Sequence, residues 1–209
     1  MLERAGNEDS RANQRSFGFA GAASARISEE NRSNLFLAVV PEPDIAVRSL
    51  EIGRHVSKEY GLSGDFHRQD KMHVSLNGIG RYPHLPEDVV SAVCAAVSTV
   101  KAMPFEVSFD RVMSLANGST RPLVLCSGIR SEEMMDLHVQ LAKEMWSAGL
   151  IFTYNPRFKP HMTLLCDEDM VPERILTEPV RWTVREFVLV HSLAGQDRHE
   201  YLGRWPLLG

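Results

Sequence analysis

The chain has little cysteine, no long apolar run and no excess of positive charge, and each shortage removes a class of protein. Its three cysteines, Cys94, Cys126 and Cys166, are far apart and odd in number, and each sits in an apolar segment. Without a Cys-x-x-Cys pair they read as buried reduced thiols in a reducing cytoplasm, not as a zinc or dithiol site. No apolar stretch reaches about 18 residues, so no membrane-spanning helix is expected. Lys plus Arg number 23 against 27 Asp plus Glu, a formal net charge of −4. That balance excludes a protein that grips long duplex DNA through a broad basic face and confines any nucleic-acid contact to an end or a single linkage. What is present is ordinary globular material: 44% hydrophobic and 24% charged residues over 209 positions, enough for one sizeable core or two small lobes sharing one.

Residues 1–32 mix arginines with Glu3, Glu8, Asp9, Glu29 and Glu30 among Ser, Ala, Asn and Gly. They lack the apolar core of a secretory signal and read as a flexible tail before a single domain spanning 33–209. From Ser33 the pattern is regular. Leu35 to Val40 suits a buried strand, and Pro43 to Gly61 a helix with proline in its first turn and glycine at its end. Met72 to Ile79 reads as a strand and Pro86 to about Met103 as a second helix. Phe105 to Leu115 alternates and pairs across Asn117-Gly118 with Leu123 to Cys126. Ser131 caps a third helix that runs to Gly149. Pro160 to Cys166, Trp182 to Leu193 and Tyr201 to Leu207 are the remaining strands, with a turn at Gly195-Gln196-Asp197. This order predicts an α+β fold: two pseudo-symmetric lobes of largely antiparallel sheets lining a central cleft, with helices outside.

The motif His-x-(Ser/Thr) occurs three times, more often than eight scattered histidines would supply by chance. His55-Val56-Ser57 falls in the first helix, where positions i and i+2 lie roughly 200° apart and cannot meet one ligand. The other two, His73-Val74-Ser75-Leu76 and His161-Met162-Thr163-Leu164, fall on strands, so each imidazole points the same way as its hydroxyl while the apolar residues face the opposite side. Basic residues precede both: Arg68 and Lys71 the first, Arg157 and Lys159 the second. Two groups that titrate near neutrality and two neutral donors are what acid–base attack on a phosphate diester requires.

These paired motifs resemble those of the two-histidine phosphoesterases, the superfamily of bacterial 2′-5′ RNA ligases and RNA 2′,3′-cyclic phosphodiesterases. Phe158-Lys159-Pro160-His161-Met162-Thr163-Leu164 is similar to that family's second motif with its flank. Phe187 to Tyr201 with Trp205-Pro206-Leu207 is similar to its closing hairpin. Asn77-Gly78-Ile79-Gly80 and Leu165-Cys166 depart from the flanks common in the family and leave the substrate branch open. The resemblance implies a metal-independent hydrolase of 2′,3′-cyclic phosphates, or of 2′-5′ linkages, at RNA ends or in small nucleotides. It implies His161 as base and His73 as acid, with Ser75 and Thr163 on the non-bridging phosphate oxygens.

Arg68, Lys71, Arg157 and Lys159 are candidates for a positive rim, and Tyr82 and Phe158 for stacking on a base. His191 and His199 are set aside, the first for a supporting strand and the second for its place beside a turn. No cofactor or metal is expected, since nothing joins His67 and His73 into a ligand cluster. No membrane partner is expected, and the protein is expected to be a monomer. The alternatives are a non-catalytic nucleotide-binding module with the same cleft and a hydrolase of cyclic nucleotide metabolites.

Overall fold

The computed structural model describes residues 33–116, 119–193 and 199–208, and runs of Val, Leu, Ile and Phe broken by Pro and Gly divide these described residues into eight strands and three α-helices. The strands are β1 (Ser33–Val39), β2 (Val74–Tyr82), β3 (Phe105–Ser114), β4 (Leu123–Cys126), β5 (His161–Leu165), β6 (Arg174–Val184), β7 (Glu186–Leu193) and β8 (His199–Pro206). The helices are α1 (Pro43–Tyr60), α2 (Glu87–Val97) and α3 (Glu132–Ser147). All the strands join one antiparallel sheet in the order β6-β3-β4-β5-β2-β1-β7-β8. The fold is α+β, and its halves are β6-β3-β4-β5 and β2-β1-β7-β8, four strands each. They meet at the Val74↔Met162 pair, so the expected lobes form one continuous sheet with the two motif strands at its seam.

The units β1-α1-β2 and β4-α3-β5 are equivalent halves: in each a helix precedes a motif strand. Helix α1 packs on β5 and β6, and α3 packs on β2, so each helix reaches across the seam. Leu35, Leu37, Val74, Leu76, Met162 and Leu164 form the main core with Leu50 and Val56 of α1, Val93 and Val97 of α2, and Leu137, Leu141 and Met145 of α3. A small second cluster, Phe36, Ala38, Val188 and Val190, occupies the opposite face of the sheet. No helix among the described residues is long and apolar enough to cross a membrane.

Local chemistry sets the helix ends. Pro43 starts α1 and Gly61, at φ 68°, closes it in the left-handed conformation that glycine adopts without penalty. Ser131 Oγ accepts the Met134 N–H at the start of α3. Helix α2 stops at Val97, short of the expected Met103. The Ser98 and Thr99 hydroxyls bond back to the Ala95 and Ala96 carbonyls there, which favours a terminus over another turn.

The expected single strand from Trp182 to Leu193 is two strands broken at Arg185, because β6 pairs with β3 at one edge and β7 with β1 in the other half. Most of β6 had no strand signal, since Thr177-Glu178-Pro179 suits only an edge, where one side of the backbone needs no partner. Cys166 is exposed beyond the end of β5 and Cys94 and Cys126 are partly buried, so the thiols are less enclosed than expected. Residues 1–32, Asn117-Gly118 and the expected turn at 195–197 lie outside the described residues.

Backbone contacts stitch the approach to β2 onto β5. His67 N–H donates to the Leu164 carbonyl at 2.8 Å, and Phe66 bridges to Leu165. Asp167 accepts the N–H groups of Ser63, Gly64, Glu168 and Asp169 at 2.6–3.0 Å, and these bonds hold its carboxyl below the usual carboxylate range. Gly53 brings α1 close to β5, since a Cβ there would stand 3.2 Å from Leu164 Cδ1. Leu164 is fully buried. Leu164→Ala is therefore expected to lower the unfolding free energy by about 2–5 kcal/mol in a denaturant titration, the range for a buried leucine whose cavity cannot fully collapse.

Candidate functional site

The alternation expected of both motifs is present. Val74, Leu76, Met162 and Leu164 are at most 4% exposed on the helix-covered face, while His73, Ser75, His161 and Thr163 emerge on the other. Antiparallel pairing about Val74↔Met162 sets His73 across from Thr163 and Ser75 across from His161. The imidazoles thus stand on a diagonal, each facing the other motif's hydroxyl. Diagonal neighbours on adjacent strands lie about 7–8 Å apart, with Cβ atoms somewhat closer, within reach of long side chains that converge on one group.

Both histidines are held identically. His73 Nδ1–H donates to the Lys71 carbonyl and His161 Nδ1–H to the Lys159 carbonyl, each at 2.7 Å. A carbonyl can only accept, so in each ring Nδ1 carries a proton and Nε2 is the nitrogen left for other partners. His73 Nε2 accepts the Ser75 hydroxyl at 3.1 Å. Burial pushes the His73 pKa down to about 4, and the charges of His67, His161 and Lys71 push the same way, against the raising effect of the Lys71 carbonyl bond. The ring is therefore neutral across the physiological range.

Beside His161 lies a cavity of about 580 Å³. Arg111, Arg130, Arg157 and Lys159 line it with Glu173; Arg111 pairs with Asp110 and Glu173 and Arg130 with Glu132, so the excess positive charge of the wall falls to Arg157 and Lys159. Met113, Ile129 and Phe158 supply apolar surface. Arg111 pairs with Glu173 and lies against Gly128, where a Cβ would overlap its guanidinium. Gly128 N–H in turn donates to Asp110 at 2.7 Å, fixing the loop between β4 and α3 as one wall. Phe158 is stacked on His138, ring centroids 4.4 Å apart, and His138 bridges the Leu76 and Asn155 carbonyls between β2 and this wall.

The expected rim divides in two. Arg157, Lys159 and Phe158 line the cavity beside His161, whereas Arg68 pairs with Asp70 at 2.8 Å beside a groove shared with Tyr201. Lys71 and Lys159 both place their backbone carbonyls on the histidine two residues on. Tyr82 does not join the site: it packs against the main core at the far end of β2, about 30 Å along the strand from His73. His55 and Ser57 lie on α1, the first exposed and the second buried, as the helical reading requires. His191 bridges Ser33 Oγ and Glu200 on the opposite face, a supporting role. Among the described residues no three His, Cys, Asp or Glu side chains gather into a metal-binding group.

The sequence reading missed Phe36, Cys126, Arg111, Arg130 and His199. Cys126 stands directly across β4–β5 from His161, and Arg111 across β3–β4 from Cys126. His199, set aside as a turn residue, begins β8 and packs on His73 with centroids 5.2 Å apart. The alternation of His199 with Tyr201 was the available signal, and it needed the β1-β7-β8 order to be useful.

A family model of the 2′-5′ RNA ligase superfamily matches residues 40–196. No curated protein sequence matches. Among solved structures, E. coli LigT complexed with 3′-AMP is 20% identical at TM-score 0.69, covering 85% of this chain and 99% of LigT. LigT complexed with phosphate is 20% identical at TM-score 0.65, covering 86% and 99%. The TT0787 protein of Thermus thermophilus is 20% identical at TM-score 0.66, covering 83% and 97%. These structures share the fold.

Three histidines held below their ordinary range by burial, His73, His138 and His199, shape how the fold responds to acid. His199, like His73, is pushed down to about 4, chiefly by burial and then by the neighbouring His73. An unfolded histidine titrates near 6.5, so between pH 6.5 and 4 the unfolded chain binds more protons and stability rises with pH. The lowered carboxyls of Asp70 and Asp167 contribute below their ordinary value of 3.8, outside that window. The denaturation midpoint is expected to fall as pH drops from 6.5 to 4 and to flatten above about pH 7. A midpoint constant across the window would show that none of the three imidazoles is held neutral.

Proposed function

The chain belongs to the 2′-5′ RNA ligase superfamily, and from that premise we propose that it is a phosphoesterase opening 2′,3′-cyclic phosphates, at RNA ends or in small nucleotides, by two-histidine acid–base catalysis. The observation that carries this reading is the seam: antiparallel pairing at Val74↔Met162 aligns His73 with Thr163 and Ser75 with His161. The positive cavity beside His161 has the volume of a small-molecule site and suits the nucleoside of an anionic substrate. LigT holds 3′-AMP and phosphate, ligands of the proposed chemical class.

Each group then has a step. Neutral His73 takes a proton from water through Nε2 as the oxygen bonds to phosphorus. His161 gives a proton to the ribose 3′ oxygen as its bond to phosphorus breaks, leaving a 2′-phosphate. As substrate binds, the Ser75 hydroxyl turns from His73 Nε2 to a non-bridging oxygen, which frees Nε2 for the water, and the Thr163 hydroxyl donates to another, where negative charge accumulates. The burial of His73 supports its role as base, which reverses the assignment implied by the family resemblance. Joining two ends through a 2′-5′ linkage would run the same steps with a 5′ hydroxyl in place of water, and cleaving that linkage would run them backward with the roles exchanged. Two imidazoles and two hydroxyls supply the proton transfers and charge stabilisation, so the proposed chemistry calls on no metal.

The test is hydrolysis of 2′,3′-cyclic nucleotides in the presence of chelator, with the phosphate position in the product identified. His73→Ala and His161→Ala should each lower kcat/KM by about 10²–10⁴ with the circular dichroism spectrum unchanged. Ser75→Ala and Thr163→Val should each cost roughly 10²–10³ in kcat, the scale of a lost transition-state donor. A double His73→Ala/His161→Ala protein as fast as wild type would refute the proposal.

A further inference from the structure

We propose that His199 is a positioning residue for His73: with Phe36 it forms an aromatic clamp that fixes the plane of the His73 ring and keeps water from it. The inference rests on the proposed role of His73. It begins from three rings on three strand segments that touch pairwise. Phe36 of β1 lies 5.0 Å from His73 at 37°, and His199 of β8 lies 5.2 Å from His73 at 68°, edge to face. The triangle closes between Phe36 and His199 at 5.8 Å and 78°. The spacings are those of attracting aromatic pairs, and both His199 contacts have the favoured edge-to-face geometry.

The clamp complements the hydrogen bonds already described. Lys71 O and Ser75 Oγ fix the two ring nitrogens of His73 within the ring plane, but neither resists tilting of the plane. Phe36 and His199 press on the ring from outside that plane. Phe36 is 7% exposed and rooted in the small cluster with Ala38, Val188 and Val190, so it is a rigid wall. His199 is anchored by pairing with Ser192 of β7. The site's tolerance for error is small, because a misplacement of about 1 Å can cost roughly 10²-fold in rate.

Several charged or titratable groups surround the clamp. His67 and Lys71 act on His73 from the segment leading into β2, His161 acts from β5, and all three disfavour its imidazolium. Asp70 acts on His199 in the opposite sense. Phe36 brings no charge from β1. Desolvation is the largest influence on His73, and His199 is one of the two rings that lie against it. Opening that side to water should release the restraint.

The experiment compares His199→Ala, which empties the position, with His199→Phe, which refills it without an ionisable group. The His73 imidazole is titrated by NMR, and the pH profile of kcat/KM is measured on a 2′,3′-cyclic mononucleotide. In His199→Ala the His73 midpoint should move up from about 4 toward 6.5, carrying the acid limb of kcat/KM with it. Its kcat should fall about tenfold or more while KM changes little. His199→Phe should restore both the low midpoint and the rate, which a merely structural contribution would not link. An unmoved His73 midpoint in His199→Ala overturns the clamp, as does a His199→Phe protein that behaves like His199→Ala. The NMR titration needs no turnover: a midpoint that moves as stated in a protein whose wild type opens no cyclic phosphate overturns the proposed reaction and leaves the clamp standing.

Discussion

The pairing of Val74 with Met162 is the contact on which the molecule turns. It joins two four-stranded halves into one sheet. Because both residues are fully buried, it also commits the neighbouring positions to the opposite face. A slip of one residue would bury His73, Ser75, His161 and Thr163 beneath the helices and expose Val74, Leu76, Met162 and Leu164. The apolar core therefore enforces the register of the polar site. Helices α1 and α3 secure it further, since each follows a strand of one half and packs on a strand of the other.

Within this symmetric frame the two imidazoles are made unequal. Their Nδ1–H bonds to Lys71 and Lys159 carbonyls are the same length. Their surroundings are not: aromatic rings from β1 and β8 crowd His73, whereas a positive cavity adjoins His161. Acid–base chemistry needs one neutral and one protonated partner at the same pH, and a difference in solvation between equivalent sites is a direct way to obtain it. The pseudo-symmetry brings the groups together, and the departures from it give the two rings the different surroundings that the proposed acid and base roles require.

What was legible in the sequence follows from which information is local. Two-residue alternation around His73 and His161 was readable because the strand conformation alone decides which side chains share a face. The helices were readable from apolar spacing, Pro43, Gly61 and the Ser131 cap. Strand β6 was not, because an edge strand buries little and tolerates Pro179. His199 was not, because its meeting with His73 and Phe36 depends on a strand order no local pattern encodes. Lys71 and Lys159 stood out as cations, yet their backbone carbonyls orient the histidines, a function to which the side-chain type gives no clue. Tyr82 looked available for stacking because sequence shows a residue's chemistry but not its distance along a strand.

The central claim is that one phosphorus atom sits between His73 and His161. The most direct measurement is a crystal structure of the protein with adenosine 2′-monophosphate, the product class of the proposed hydrolysis. The phosphate is expected within hydrogen-bond distance of both Nε2 atoms and of the Ser75 and Thr163 hydroxyls, with the nucleoside extending into the cavity lined by Arg157 and Phe158. A phosphate bound away from the β2–β5 seam, or touching only one of the two imidazoles, would contradict it.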